Sequence, residues 1–469
     1  MDPNIVAELR AALGDAVIVD PARLQAIRTD RSGWWSSSAP LVLVEARGVA
    51  EVQAVMRIAT RHRVGVIPRG AGTGLAGGAA GRDGAIVLSV ASMNRILELS
   101  PDDELAVVEP GVLNDELSTA AREHGLFFAP DPASKAISSI GGNIATNAGG
   151  LLCAKYGVTR EAVLGLTVVL PDGELLRTGH RTVKGVTGYD LTALLVGSEG
   201  TLGVVVEATV RLLPIAPGGT ATVAAFFEDV AAAARAAAAI TASRLRPAVM
   251  EIIDASALAA IRAYLGPAAF EGLPLPSPGQ AFLLVQSDGR DARLAAEAIA
   301  EVVRAEGVEP QISLDERTGE RLLAVRRAFH AALAARGEVL IEDVCVPRSR
   351  MREMFEAIDG IARRYGVEIP TVAHAGDGNL HPNFVIPGVP VGAALEPGFA
   401  VPDAIWSAAD ELFHAALALG GTLTGEHGVG VLKNRWLGEE LGTTSLELQR
   451  RLKAVFDPLG IMNPGAVFR

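Results

Sequence analysis

A loop dense in glycine places the strongest constraint on how this chain can fold. The segment Pro68-Arg-Gly-Ala-Gly-Thr-Gly-Leu-Ala-Gly-Gly78 directly follows Val64-Gly-Val-Ile67, which is typical of a short buried strand. Because glycine has no Cβ, successive backbone N–H groups of such a loop can surround an anion such as a pyrophosphate. Much of the glycine lies between Gly70 and Gly203, which predicts that the backbone there wraps closely around a ligand.

The same loop also matches a second glycine pattern. Gly72-Thr-Gly-Leu-Ala-Gly77 has the GxGxxG spacing of a Rossmann βαβ unit, in which the third glycine opens a helix and an acidic residue ends the next strand. Here further glycines interrupt the expected helix, and the strand predicted over 85–90 leads into Ala-Ser-Met-Asn. We therefore favour an anion-binding loop, with a Rossmann unit and an ordinary glycine loop as the two alternatives.

The predicted elements indicate an α+β chain of at least two domains, as expected for 469 residues. Pro171-Asp-Gly173 marks a hairpin turn, and the Pro/Gly-rich stretch 214–219 marks a domain boundary. Beyond that boundary strands alternate with Ala-rich helices, which fits an antiparallel sheet backed by helices, as in a ferredoxin-like cap. The predicted strands are 64–67, 85–90, 105–108, 164–170, 174–178, 203–212, 221–227, 248–253, 281–287, 370–374 and 379–385, and the predicted helices are 49–63, 230–244, 256–265, 291–305 and 351–365.

Charge and composition exclude several classes of protein. The formal net charge is −12 and no Lys/Arg-rich run occurs, so we expect no nucleic-acid partner. No apolar run approaches the roughly 18 residues of a membrane span, and Met1-Asp-Pro-Asn4 lacks a basic, then apolar, leader, so we expect a cytoplasmic protein. Cys153 and Cys345 lie far apart and outside any CxxC, which argues against a disulfide framework or an iron–sulfur cluster.

Two histidines flank a glycine turn in a pattern that suggests a metal site. His374 and His381 lie on either side of Gly376-Asp-Gly378, so two adjacent strands can direct both imidazoles at one point. Glu426 and His427 follow later in another glycine-bounded loop. Two His and one Glu form the ligand set of a catalytic zinc-type site that keeps a position open for substrate. A lone His on a strand would instead be a satisfied core residue, but the clustering favours the metal interpretation.

Two further glycine-rich segments carry a resemblance to a known superfamily. Ser139-Ile-Gly-Gly-Asn-Ile-Ala-Thr-Asn-Ala-Gly-Gly150 and Gly197-Ser-Glu-Gly-Thr-Leu-Gly203, together with the first loop, resemble the FAD-binding domain of the vanillyl-alcohol oxidase/p-cresol methylhydroxylase superfamily. The resemblance extends from about Pro40 to the C-terminus. It implies a two-subdomain FAD-binding domain of the p-cresol methylhydroxylase type in residues 1–217, a substrate or cap domain in 218–420, and a segment 421–469 that returns to the flavin domain. Non-covalent FAD is expected, since no His occurs within Arg69–Gly78.

The resemblance also assigns the residues that contact the cofactor. The first loop (residues 68–78) and the second loop (residues 139–150) are expected to hold the pyrophosphate. The third loop (residues 197–203) is expected to line the adenosine side. The implied cofactor residues are Pro68, Arg69, Gly70, Ala71, Gly72, Thr73, Gly74, Pro130, Asp131, Ser139, Gly141, Gly142, Asn143, Ala145, Thr146, Asn147, Gly149, Gly150, Tyr156, Glu199, Gly200, Gly203, Val204 and Asn463.

Within the superfamily, the histidine blocks most resemble those of FAD-linked 2-hydroxy-acid dehydrogenases, such as glycolate oxidase, D-lactate dehydrogenase (cytochrome) and D-2-hydroxyglutarate dehydrogenase. By that resemblance His374, His381 and Glu426 bind a divalent metal, with zinc favoured and manganese or iron as alternatives. Asn383 touches the substrate and His427 is the acid–base residue. The expected reaction is oxidation of a small D-2-hydroxy acid to the 2-oxo acid, with hydride transfer to flavin N5.

The substrate carboxylate needs a cation, and Arg326 aligns with the carboxylate-binding Arg of this group. The alternative is that Arg326 and Arg327 form a solvated helix face. The 2-hydroxyglutarate enzymes carry Thr and Lys where this sequence has His330 and Ile341. Loss of that Lys favours a monocarboxylate such as glycolate or D-lactate, unless His330 or Arg348 substitutes for it.

Three other functions remain as alternatives. The first is a redox-neutral flavoenzyme like alkyl-dihydroxyacetone-phosphate synthase, the second a non-catalytic FAD subunit, and the third a zinc hydrolase, which leaves the glycine loops unexplained. For the favoured function, electrons must leave to an external acceptor, which is an electron-transfer protein, a quinone or a cytochrome. A homodimer, a complex with other oxidase subunits, and peripheral attachment to the inner membrane through the acceptor are all compatible with the sequence.

Overall fold

The computed structural model describes residues 4–270, 277–390, 392–396 and 399–468. Residues 1–3 and residue 469 lie outside the described ranges. Residues 1–3 belong to the N-terminal segment in which the sequence predicts no leader. The chain divides into two compact units. Unit 1 comprises Met1–Gly149, Gly157–Ile215 and Glu426–Arg469, and unit 2 comprises Gly150–Tyr156 and Ala216–Gly425.

The described residues form 16 α-helices and 19 β-strands. The helices α1 to α16 are Asn4–Leu13, Pro21–Ala26, Val49–His62, Asn114–Arg122, Ile140–Thr146, Cys153–Tyr156, Thr159–Ala162, Leu191–Leu195, Val230–Ala242, Ala255–Leu265, Ala292–Ala305, Glu316–Arg327, Phe329–Ala334, Met351–Tyr365, Asp403–Ala418 and Leu437–Phe456. The strands β1 to β19 are Val17–Ile18, Val42–Glu45, Val66–Arg69, Ile86–Ser89, Ile96–Ser100, Leu105–Val108, Leu126–Phe127, Val163–Val169, Leu175–Gly179, Val204–Arg211, Leu213–Pro214, Thr220–Phe227, Val249–Ile253, Ala281–Asp288, Gln311–Ser313, Val339–Ile341, Val344–Cys345, Thr371–His374 and Asn379–Val385.

Unit 1 contains two larger sheets, each with its own hydrophobic core. The first has the order β1-β2-β4-β3, in which β4 pairs in parallel with both β2 and β3. The second is antiparallel, with the order β5-β6-β10-β8-β9. One core packs α3 against the first sheet, and the other packs α4 and α5 against the second. These two sheets are the frame from which the glycine-rich loops extend.

Helix α3 shows how the sequence pattern produces this packing. Val52, Val55, Met56 and Ala59 recur at helical spacing and are fully buried, so one face of the helix covers the sheet. Arg63 ends the helix in the left-handed conformation, with φ of 52°, and its N–H satisfies helix carbonyls. The chain then turns directly into β3, whose end leads into the glycine loop. The predicted succession of helix, strand and loop is confirmed.

The connection between β3 and β4 excludes the Rossmann alternative. Residues 70–85 form bends and turns with no helix, whereas a dinucleotide-binding βαβ unit opens a helix at its third glycine. Gly72, Gly77 and Gly84 in this stretch adopt positive φ angles of 71°, 75° and 68°. These angles suit an irregular loop and interrupt helix formation.

Unit 2 is built on an antiparallel sheet with the order β15-β12-β14-β13-β18-β19-β16, and β17 also pairs with β19. Its first four strands have the strand order and antiparallel pairing of a ferredoxin-like sheet, with α9 between β12 and β13 and α11 between β14 and β15. Strands β18 and β19 extend that sheet as a hairpin. The predicted α+β class, with an antiparallel cap sheet, is confirmed.

Most strands and helices predicted in both units are present within one or two residues of their predicted ends. The hairpin at Pro171-Asp-Gly173 joins β8 to β9, and Gly173 there has a φ of 85°. None of the helices within the described part of the chain combines the length and the apolar character that crossing a membrane requires.

Candidate functional site

The first glycine loop leaves β3 with its backbone donors unused. The N–H groups of Ala71, Gly72, Thr73 and Gly74 make no hydrogen bond to any described residue. Arg69, just before them, donates from Nη1 to the carbonyl oxygens of Thr29 and Ala79, at 3.1 and 2.6 Å, and so fixes the start and the far end of the loop. A loop held at both ends with successive free N–H groups is suited to an anion.

The second loop packs directly against the first. A Cβ added to Gly70 would lie 2.4 Å from Oγ of Ser139, so only glycine allows this approach. Ser139 caps α5 by accepting a hydrogen bond from the N–H of Gly142 at 3.3 Å. On the other side of the loop, Gly141 donates to the carbonyl oxygen of Pro110 at 2.8 Å. The glycine at position 70 is therefore explained by the close packing of the two loops.

Helix α5 carries a buried polar group that the described protein does not satisfy. Nδ2 of Asn143 is buried and has no hydrogen-bond partner among the described residues. At the end of the helix Asn147 has a φ of 52°, and its Oδ1 accepts a hydrogen bond from the N–H of Arg160 at 2.9 Å. Buried polar groups are nearly always paired, so the amide of Asn143 is available to donate to a water molecule or to a ligand acceptor.

The third loop is joined to the C-terminal segment of unit 1 through Glu199 and Asn463. The carboxylate of Glu199 accepts hydrogen bonds from the N–H groups of Val429 and Gly430, each at 2.8 Å. Nδ2 of Asn463 donates to the carbonyl oxygens of Gly78 and Glu199, at 3.2 and 2.7 Å. The first and third glycine loops and the C-terminal segment therefore meet within unit 1.

Unit 1 thus brings together most of the predicted cofactor residues, although two lie elsewhere. Gly150 and Tyr156 belong to unit 2, where the hydroxyl of Tyr156 donates a short hydrogen bond to Asp288. Gly203 is also explained by packing, since an added Cβ would lie 2.6 Å from Cγ1 of Val168. The open N–H groups of the first loop and the amide of Asn143 fit a pyrophosphate cofactor such as FAD.

In unit 2, the register of the β18/β19 hairpin places several polar side chains on one face of the sheet. His381 pairs with Val372 and His374 pairs with Asn379, and directly opposed residues of antiparallel strands point to the same side. Two further pairs lie on this face, with Glu251 opposite His374 and Ile341 opposite Asn383. A polar stripe therefore runs across a buried sheet.

Three of the predicted residues could hold a metal ion. Ligand atoms of His374, His381 and Glu426 all lie within 4.8 Å of one another. The imidazole rings of the two histidines are nearly perpendicular, at 85°, with centroids 5.0 Å apart. Glu426 directly follows Gly425, the last residue of unit 2. A hydrogen bond from the N–H of Gly425 to Asp343 fixes the main chain at that point. The donor set fits zinc or another borderline divalent ion.

The main chain before Glu426 is anchored by Asp343. Its Oδ2 accepts a hydrogen bond from the N–H of Gly425 at 2.7 Å, and its Oδ1 accepts one from Oγ1 of Thr424 at 2.8 Å. A Cβ on Gly425 would lie 2.4 Å from Oδ1 of Asn379, so the amide of Asn379 packs against bare backbone. These contacts explain the glycine before Glu426, and they assign a role to a buried Asp that the sequence analysis did not single out.

The predicted substrate residues are buried, with part of their bonding capacity unused. Nδ2 of Asn383 donates to the carbonyl oxygen of His381 at 2.9 Å, while its Oδ1 is buried without a partner among the described residues. Arg326 on α12 is only 7% exposed and donates from Nε to Oε2 of Glu251 at 2.7 Å. A solvated helix face is therefore excluded for Arg326. Arg327, which is 39% exposed, fits that description.

Glu251 was not predicted from the sequence as a site residue. It is a single carboxylate in the apolar strand Val249–Ile253, and a lone charge in such a strand is the signal that could have revealed it. Oε1 of Glu251 lies 2.6 Å from Nδ1 of His374.

His427, the predicted acid–base residue, is 8% exposed, and its Nε2 lies 3.9 Å from Oε1 of Glu426.

Comparisons with known proteins identify families and relatives of this chain. Residues 216–467 match the family of FAD linked oxidases, C-terminal domain, and residues 40–179 match the FAD binding domain family. The chain is 40% identical over 440 residues to the glycolate oxidase subunit GlcD of Bacillus subtilis (strain 168), with coverage of 92% of this chain and 89% of the relative. It is 36% identical over 431 residues to a D-lactate dehydrogenase of Archaeoglobus fulgidus, with 91% of each chain covered.

The fold is also found among solved structures. p-Cresol methylhydroxylase with substrate bound superposes with a TM-score of 0.79 at 19% identity, over 99% of this chain and 96% of that chain. At this identity the likeness concerns the fold alone, and it is the p-cresol methylhydroxylase type that the glycine loops predict. Sequence matches over both parts of the chain, together with this fold, show that the protein belongs to the family of FAD-linked oxidases.

Proposed function

We propose that this protein catalyses the FAD-dependent, divalent-metal-assisted oxidation of a small D-2-hydroxy acid to the 2-oxo acid, with glycolate or D-lactate as the favoured substrate. The observation that carries the proposal is the close grouping of ligand atoms from His374, His381 and Glu426, within 4.8 Å of one another. Two relatives named for glycolate and for D-lactate support the substrate class.

Each group of the chain has a defined task in this reaction. Bound FAD supplies the hydride acceptor, and a divalent metal on His374, His381 and Glu426 supplies a Lewis acid that lowers the pKa of the substrate hydroxyl. His427 accepts the hydroxyl proton as general base. Arg326 binds the substrate carboxylate through Nη1 and Nη2, which make no hydrogen bond to the described residues. Asn383 offers its unpaired Oδ1 as an acceptor to a hydrogen-bond donor group of the substrate.

The neighbourhood of Asn383 supports a monocarboxylate substrate. Ile341 is directly opposite Asn383 in the β16/β19 pair, and the two side chains lie on the same face. An aliphatic side chain there offers no cation for a second carboxylate. We therefore propose that glycolate or D-lactate is preferred over D-2-hydroxyglutarate.

Anaerobic flavin reduction tests the proposal directly. Purified protein containing FAD and zinc is mixed with glycolate, D-lactate, L-lactate or D-2-hydroxyglutarate, and the flavin absorbance is followed. Bleaching by glycolate or D-lactate, with turnover in the presence of a dye acceptor, supports the proposal and argues against a redox-neutral transferase. If none of these acids bleaches the flavin, the proposed function is wrong. Colourless protein with hydrolase activity would favour the zinc-hydrolase alternative.

A further inference from the structure

Glu251 is a buried carboxylate that contacts two proposed site residues at once. Its Oε2 accepts a hydrogen bond from Nε of Arg326 at 2.7 Å, and its Oε1 lies 2.6 Å from Nδ1 of His374. The side chain of Glu251 is 0% exposed. We propose that Glu251 is a positioning residue that orients His374 for metal binding and Arg326 for binding the substrate carboxylate. This inference rests on the proposed function and adds to it a residue that sets both contacts.

The contact with His374 fixes which ring nitrogen faces the metal. An ionised carboxylate is only an acceptor, so Nδ1 of His374 must carry the proton and donate it to Glu251. Nε2 then keeps its lone pair for a metal ion. Histidine ligands generally donate their second nitrogen to a carboxylate or carbonyl in this way, which fixes both the tautomer and the ring orientation. Since Glu251 and His374 are directly opposed in the β13/β18 pair, two paired strands hold this contact.

The contact with Arg326 orients the guanidinium group. Glu251 binds Nε, and it leaves Nη1 and Nη2 without a hydrogen bond to any described residue. Because the guanidinium is planar, fixing Nε fixes the direction in which the terminal nitrogens point. A carboxylate can be bound by two parallel N–H donors of such a group. Arg326 in turn provides the positive charge without which a fully buried carboxylate would be costly.

A neutral amide cannot perform both tasks, and this gives the proposal a sharp test. In Glu251→Gln, the amide oxygen can accept either from His374 or from Arg326. If the oxygen faces Arg326, the NH₂ group donates to Nδ1 and the proton of His374 moves to Nε2, where it blocks metal binding. If the oxygen faces His374, the NH₂ group opposes the Nε–H of Arg326. One of the two contacts is lost in either orientation.

The experiment compares Glu251→Gln with wild type and with Glu109→Gln. Glu109 is a buried carboxylate of unit 1 that accepts from Nη2 of Arg95 at 2.8 Å, so its substitution controls for the general loss of a carboxylate–arginine pair. Zinc affinity is measured by chelator competition without substrate, and KM is measured with D-lactate and glycolate. For Glu251→Gln we expect roughly 10- to 100-fold weaker zinc binding or a raised KM, according to the orientation of the amide. Neither should change in Glu109→Gln.

A readout independent of turnover and of metal comes from ¹⁵N NMR of histidine-labelled, metal-free protein. His374 should be protonated at Nδ1 in wild type. If Glu251→Gln does not fold, judged by its circular dichroism and FAD content, then Glu251→Asp replaces it; that variant keeps the charge but is too short to reach both partners. The proposal is overturned if a folded variant keeps the zinc affinity and KM of wild type, if wild type binds no zinc, or if His374 is protonated at Nε2 in wild type. Failure of every 2-hydroxy acid to reduce wild-type flavin would instead overturn the proposed function, while the zinc and NMR results still decide the role of Glu251.

Discussion

The carboxylate of Glu199 accepts a hydrogen bond from the N–H of Gly430 at 2.8 Å, which joins the glycine loop of residues 197–203 to the loop that carries His427. The same carboxylate accepts a second hydrogen bond from Val429 at 2.8 Å. Glu199 itself has a φ of 50°, which the backbone of a non-glycine residue rarely adopts. The link therefore holds these two loops of unit 1 together, and its strength is expected to depend on pH.

Loss of hydration raises the pKa of Glu199 to about 7 from its ordinary value of 4.5, against the opposing effect of the two N–H donors. Between these values the folded chain holds a proton that the unfolded chain has released. The free energy of unfolding should therefore fall as pH rises from 4.5 to about 7, by up to about 3 kcal/mol. Glu199→Gln removes the titrating group, so urea denaturation at pH 5 and pH 8 should show a smaller decrease in stability in this variant than in wild type.

Glu123→Gln, an exposed substitution at the end of α4, is the control for this pH effect. It should change the free energy of unfolding by no more than about 0.5 kcal/mol at either pH. Equal pH dependence in wild type and Glu199→Gln would contradict the assignment.

His427→Ala should retain FAD but lose most flavin reduction. Removal of a general base typically lowers the rate by about 10²- to 10⁴-fold. Single-turnover stopped-flow measurements with D-lactate or glycolate give the rate, and the visible spectrum gives the FAD content. His414→Ala, which changes a half-exposed histidine on α15, should react like wild type. A reduction rate in His427→Ala within about threefold of wild type would show that another group accepts the proton.

Asp343→Asn should weaken the metal site through the main chain. The neutral amide keeps one acceptor oxygen in place of a charged carboxylate, so the hydrogen bonds from the Thr424 hydroxyl and the Gly425 N–H are weakened, at a cost of about 1–2 kcal/mol. The loop before Glu426 should loosen, and the zinc content per chain should fall together with the urea midpoint. Asp403→Asn, at the exposed start of α15, tests whether any Asp substitution in this unit has the same effect. Full zinc occupancy in Asp343→Asn would argue against this anchoring role.

Gly430→Ala should be far more damaging than Gly460→Ala, although both glycines have positive φ angles, of 52° and 66°. At Gly460 an added Cβ meets nothing within 4 Å, so the cost should be the roughly 1–2 kcal/mol of a left-handed alanine. At Gly430 the Cβ would lie 2.0 Å from the carbonyl oxygen of Ala76, so the backbone must move. We expect a loss above about 3 kcal/mol and reduced FAD content, measured by urea denaturation and flavin absorbance. Similar losses in both variants would show that strain at φ alone decides the cost.

Local patterns predicted much of the fold. The apolar spacing of Val52, Val55 and Ala59 specified α3, and Pro171-Asp-Gly173 specified a hairpin, because both depend on contacts between residues close in sequence. The glycine loops and the two histidines beside Gly376-Asp-Gly378 were equally visible. So many glycines or histidines within a short segment have few uses other than ligand or metal binding.

The sequence by itself determined the family, the position of the glycine loops and the pair His374/His381. Only the tertiary structure decided what orients them. Glu251 precedes its partner His374 by more than a hundred residues, and their contact exists because β13 pairs with β18 in one register. Likewise, Asp343 reaches Gly425 only once β16 and β17 have joined the sheet. Pairing between distant strands leaves no local pattern, and for this reason the residues that position the proposed site had to be read from the fold.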